Sequence, residues 1–222
     1  MKRNENAQPV AVTERTFEVC KAMGDLPIKI SDPVNPERVI RFKASDDTCD
    51  RYDEVILPAG WKFDDFIKNP VMMQFHDYNS WPIGKVVAVG IVGNALMVDA
   101  EFDPPEIDES ADLIFRKVVH GTVKSGSVGF IPHEYALPGQ VKSKALFDQY
   151  PKARKIYTSQ SLLEWTICPI PANPNALAAS MAKRFGTETT PASTVRSPDY
   201  TEASLKAAAI ASRIGLQNNY KR

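Results

Sequence analysis

The sequence predicts a mainly β (α+β) fold: a closed or strongly curved antiparallel β-barrel surrounded by a few helices. Three observations carry this expectation. Strand-like segments recur through residues 35–184, at 39–43, 71–76, 83–92, 95–102, 123–131 and 161–170. Gly93-Asn94 stands between two of them as a tight turn, so 83–92 and 95–102 should form a hairpin. Helical spacing is confined to short stretches at 63–68, 110–119 and 174–184.

The helix at 110–119 is the best specified. Ile107, Ala111, Ile114, Phe115 and Val118 recur at helical spacing, Asp108 or Ser110 can cap the start, and Gly121 ends it. Asn173 followed by Pro174 is a start signal for the last helix. Residues 1–34 show no clear pattern and form an N-terminal segment of uncertain structure. Residues 185–222 read as a flexible tail, because their Thr/Ser/Pro/Gly-rich beginning cannot bury enough apolar surface to order itself. A short helix at 201–214 follows from the alanines around 207–209. The tail is expected to be an exposed segment.

Composition narrows the function. The 222 residues carry 27 basic and 27 acidic side chains and a 43% hydrophobic fraction, ordinary for a soluble globular chain. That balance gives no electrostatic reason to expect nucleic acid or an anionic membrane as partner. Cys20, Cys49 and Cys168 are too scattered for a disulfide framework or a zinc site and read as free thiols of a reducing compartment. The first nine residues are polar and the longest apolar run, 86–92, is far too short for a bilayer, so a soluble intracellular protein is expected. No cofactor or metal is expected.

Alternation along three strands places chemistry on one surface. In 123–130, Val128 and Phe130 face one way and Ser125, Ser127 and Gly129 the other. In 71–76, Val71, Met73 and Phe75 oppose Gln74 and His76. In 161–168, Leu163, Trp165 and Ile167 oppose Leu162, Glu164, Thr166 and Cys168. With the bulky apolar faces in the core, Ser127, His76 and Glu164 share the outer face. That is the set acyl transfer needs: a hydroxyl nucleophile, an imidazole to take its proton, and a carboxylate to fix the imidazole tautomer. Taken alone this is a weak signal, because a lone serine or carboxylate on a strand is first of all an ordinary member of a solvated face. Other chemistries fail on spacing. Gly126-Ser127-Val128-Gly129 is not a nucleophile elbow, and the acidic stretch 46–54 lacks the central glycine of a calcium loop.

Three blocks in order resemble the prohead (capsid maturation) serine proteases of tailed phages. The first runs from Asp50-Arg51-Tyr52-Asp53-Glu54-Val55 through Asn69-Pro70-Val71 to Gln74-Phe75-His76-Asp77 and Pro82-Ile83-Gly84-Lys85. The second is Lys124-Ser125-Gly126-Ser127-Val128-Gly129-Phe130, and the third Leu163-Glu164-Trp165-Thr166 followed by Pro169-Ile170-Pro171-Ala172-Asn173-Pro174. The resemblance covers about residues 36–180; the stretch 138–157 matches no motif, and Thr166 stands where such proteases often carry serine. It implies a fold like herpesvirus assemblin and a serine endopeptidase with nucleophile Ser127, base His76 and acid Glu164. It implies major capsid protein and scaffold protein, and the protease itself, as substrates. The place of action would be the host cytoplasm, inside the immature procapsid. A homo-oligomer is compatible with this reading.

Assemblin-type enzymes use a second histidine as third member, which leaves His133 and His120 as rivals of Glu164. Glu164 is preferred because its strand direction is the better determined. Two further expectations concern the site. Gly126 and Gly129 would let a substrate backbone approach Ser127. Amides of 171–174, at the start of a helix, would supply the oxyanion hole. A catalytically silent capsid- or scaffold-associated barrel is the alternative of another class.

Overall fold

The computed structural model describes residues 25–140 and 144–179, so the predicted tail and its helix lie outside the described residues. The protein is mainly β, and its sheet curls strongly into a half-barrel. Among the described residues nine strands form one sheet: β1 (Ile28–Lys29), β2 (Val39–Asp46), β3 (Glu54–Ile56), β4 (Trp61–Lys62), β5 (Val71–Gln74), β6 (Gly84–Val92), β7 (Ala95–Phe102), β8 (Gly126–Ala136) and β9 (Lys155–Ile167).

Hydrogen bonding runs β2-β7-β6-β5-β9, with β8 paired to β9 and β1 to β6. The expected β6–β7 hairpin forms, with Val92 opposite Ala95 across Gly93-Asn94. The sheet is mixed, which corrects the antiparallel expectation. β3, β4 and β5 run parallel to β9 and meet it in succession at Lys155–Tyr157, Gln160–Ser161 and Trp165–Ile167. They amount to one strand broken twice by 3-10 turns, at Pro58–Gly60 and Phe66–Lys68. Proline at the first break cannot donate to a ladder. The helix expected at 63–68 is only the second of these turns.

β9 is thus flanked on both edges and faces the core with Trp165, whose ring lies 4.5 Å from that of Phe42, both fully buried. Phe102, Phe115, Ile40, Leu96 and Met72 complete the interior. The helix Glu109–His120 packs Ala111, Phe115 and Val118 inward. Asp108 caps it by accepting from the N–H groups of Ser110 and Ala111, and Gly121 closes it at φ 86°, a left-handed conformation that glycine adopts without penalty. A second helix, Lys144–Gln149, lies in the stretch that matched no motif.

No helix begins at Pro174 within the described residues. Leu177 and Ala178 instead form isolated bridges to Ser125 and Phe42. Leu177 O accepts from Lys43 N, the N–H of Ala179 donates to Arg41 O, and that of Ala178 donates to Lys124 O. Residues 25–34 join the sheet through β1.

Candidate active site

The site is built on β9, and a β-bulge decides which side chains it presents. Gly129 pairs with Glu164 but Phe130 with Leu162, so Leu163 is an extra residue on β9. Two residues then oppose one, and the alternation shifts. Leu162 turns into the core with Trp165 and Ile167, while Leu163 is 45% exposed. This corrects the expectation that Leu163, Trp165 and Ile167 share a face. The buried Trp165 fixes its neighbours Glu164 and Thr166 on the opposite side.

Glu164 is no ordinary surface carboxylate; it is 2% exposed. Its Oε1 lies 2.5 Å from Nδ1 of His76, a short charge-assisted contact. Its Oε2 is buried without a hydrogen-bond partner among the described residues. The carboxylate rests on Gly129: a Cβ there would sit 2.3 Å from Oε1 and 2.9 Å from Cδ. At Gly126 a Cβ would meet the Trp165 ring at 2.4 Å. The expectation that these glycines admit a substrate backbone is therefore corrected, since the protein's own side chains fill both spaces.

His76 lies beyond the end of β5, which stops at Gln74. Phe75 and His76 both adopt left-handed conformations, at φ 55° and 54°, so the strand expected over 71–76 is cut two residues short. For side chains with a Cβ this costs on the order of 1–3 kcal/mol each. The turn is held by Phe75 N donating to Ile167 O, His76 N donating to Thr166 Oγ1 and Asp77 N donating to Gln74 O. Asp77 then accepts from the amide of Asn79, and its carbonyl from Ser80. The imidazole reaches Glu164 by this turn and not by strand alternation, and it remains 39% exposed.

Ser127 lies opposite Thr166 in the β8–β9 ladder, two residues along from Gly129. Alternation therefore puts it on the face that carries Glu164, with 8% of its surface exposed. Among the described residues, no hydrogen bond joins Ser127 to His76. In a free enzyme such bonds are often loose and tighten on substrate binding. Ser125 plays a structural part instead. It is buried, donates to Cys168 O at 2.7 Å and pins the end of β9.

The rival histidines are engaged elsewhere. His133 Nε2 lies 2.7 Å from Ser161 Oγ, and His120 Nδ1 lies 2.9 Å from Thr122 Oγ1. It is Glu164 that bonds to His76. The loop 171–175 is pinned by Arg51, whose guanidinium donates to Pro171 O and whose amide donates to Ala172 O. Because no helix starts there, the loop lacks the dipole expected to support an oxyanion, and Pro171 and Pro174 have no N–H to offer. Thr166 and the bulge at Leu163 carry no role that the sequence pattern alone reveals. The only signal was Thr166 within the Glu-Trp-Thr block.

Beside Glu164 opens a cleft of about 440 Å³. Its lining includes Phe66, Val71, Met73, Ile131, Leu162 and Leu163, together with His133 and Ser161. Apolar groups dominate it.

Two expected results follow from this geometry. Gly129→Ala should push the Glu164 carboxylate off its seat, costing about 1–3 kcal/mol of stability by overpacking and breaking the contact with His76. A denaturant melt and a crystal structure of the variant check this. Burial pushes the Cys168 thiol up to about 11, and the negative charge of Glu164 adds to the shift. Cys168 should therefore react slowly with iodoacetamide near neutral pH. Glu164→Gln removes the second cause and should lower the thiol pKa. Thiolate absorbance against pH in a Cys20→Ser/Cys49→Ser background reads both.

No family model, curated protein or solved structure matches the chain.

Proposed function

We propose that this chain is a serine endopeptidase of the prohead-maturation type, with Ser127 as nucleophile, His76 as general base and acid, and Glu164 as the group that orients His76. The observation that carries the proposal is the 2.5 Å contact between His76 Nδ1 and a carboxylate that is otherwise buried. A short contact to Nδ1 leaves Nε2 as the nitrogen that accepts a proton.

In the proposed reaction Nε2 takes the Ser127 proton as Oγ attacks the scissile carbonyl carbon. Glu164 stabilises the imidazolium that forms. The same proton passes to the leaving amine as the C–N bond breaks, and water then hydrolyses the acyl-enzyme by the same base. The cleft that Glu164 lines supports a polypeptide substrate, because its largely apolar lining suits a large apolar side chain. Phe75, Tyr78 and Trp81, close in sequence to His76, are all exposed.

The substrates proposed are the major capsid and scaffold proteins, and the chain itself, within the immature procapsid. The assemblin-like barrel belongs to the same proposal and is supported by the strongly curled sheet. Incubation of the purified protein with assembled shells of capsid and scaffold protein tests it. Discrete fragments with the wild type and none with Ser127→Ala are expected. Intact substrates in both cases would favour a catalytically silent assembly protein.

A further inference from the structure

We infer that Thr166 is a positioning residue that sets the His76 imidazole relative to both Glu164 and Ser127; this rests on the endopeptidase reading above. Thr166 is fully buried on the outer face of β9. Its backbone pairs with Met73 of β5 on one edge and with Ser127 of β8 on the other. Glu164 precedes it by two residues on the same face. Its hydroxyl accepts the N–H of His76 at 3.1 Å. One residue therefore bonds by its side chain to the turn that carries the base, shares a strand with the acid and pairs by its backbone with the strand that carries the nucleophile.

The reason a hydroxyl is needed lies in the backbone. The parallel β5–β9 ladder ends with Gln74 against Ile167, and Phe75 N still donates to Ile167 O. The next N–H, that of His76, belongs to a chain that has already turned left-handed, so no strand carbonyl receives it. Thr166 Oγ1 takes that place. Without an acceptor the N–H would be left unsatisfied in a partly buried position, and two strained residues would lose one of the contacts holding them. The turn would relax, and the imidazole would move with it. Valine keeps the shape of threonine and removes the acceptor; serine keeps the acceptor and removes only a methyl group.

Thr166→Val should stay folded, lower kcat by roughly 100-fold, as a displacement of about 1 Å can, and leave KM near the wild-type value. Thr166→Ser should restore kcat. A second readout needs no turnover: the far-downfield proton resonance of the His76–Glu164 hydrogen bond should be lost in Thr166→Val and kept in Thr166→Ser and Ser127→Ala. Should Thr166→Val fail to fold, Thr166→Ala carries the same readouts. Wild-type kcat and an unchanged resonance in Thr166→Val would overturn the inference. Equal impairment in the valine and serine variants would also overturn it, because shape and not the hydroxyl would then matter. If the wild type hydrolyses nothing, the endopeptidase reading fails, yet the resonance and its retention in Thr166→Ser still decide whether Thr166 positions His76.

Discussion

Ser127→Ala should give a folded protein that cleaves nothing. Among the described residues the buried hydroxyl forms no hydrogen bond, so its loss should cost less than the roughly 1 kcal/mol of a typical hydrogen bond. Peptide hydrolysis should fall to the level left by binding alone, while the thermal transition stays in place. Ser125→Ala makes the contrast. It removes a buried hydrogen bond to Cys168 O, so it should cost about 1 kcal/mol and leave turnover largely intact. Paired melts and assays of the two variants separate a chemical from a structural serine two residues away.

Glu164→Gln should be nearly as damaging to turnover, by about 10³–10⁴-fold in kcat. The carboxylate accepts from His76 Nδ1, so Nδ1 carries the proton and Nε2 is free to act as base. A glutamine presenting its N–H₂ to Nδ1 would favour the opposite tautomer, which has nothing with which to accept the serine proton. Turned the other way, the amide would bury its N–H₂ where Glu164 Oε2 finds no hydrogen-bond partner among the described residues. Either orientation carries a penalty, and the loss should fall on kcat more than on KM, as assays over a range of substrate concentrations will read. His133→Ala breaks the contact with Ser161 and should change kcat by no more than a few-fold. Orders of magnitude lost on His133→Ala, with Glu164→Gln nearly silent, would mark a Ser-His-His arrangement instead.

Much of the scaffold was legible because it depends on local chemistry. Asp108 and Gly121 bound the long helix as their types require, and Gly93-Asn94 turns the β6–β7 hairpin. The elements missed are those whose cause is not local. β3 and β4 are three and two residues long and exist because β9 offers them an edge. The misread helix at Pro174 is instructive. Asn173 Oδ1 does accept from Asn175 N, as a cap would, but Asn173 Nδ2 donates to Asp46 and the chain runs on into bridges with Phe42 and Ser125. Tertiary pairing overrode a sound local signal.

At the site, the residue types and their separate strands pointed to one surface, but the geometry rests on two irregularities that alternation cannot express. The bulge at Leu163 changes which side chains turn inward. The left-handed pair Phe75–His76 brings the imidazole to Glu164 from beyond the end of a strand. Gly129 illustrates the same limit. A sequence shows a small residue beside a serine; only the fold shows that the empty space is filled by the carboxylate of Glu164.

The most direct measurement is reaction of the whole protein with a fluorophosphonate, followed by mass mapping of the modified peptide. The account predicts a single adduct on Ser127, absent in Ser127→Ala and strongly slowed in His76→Ala. An adduct on Ser161, the serine beside His133, or no adduct on a folded protein would contradict it.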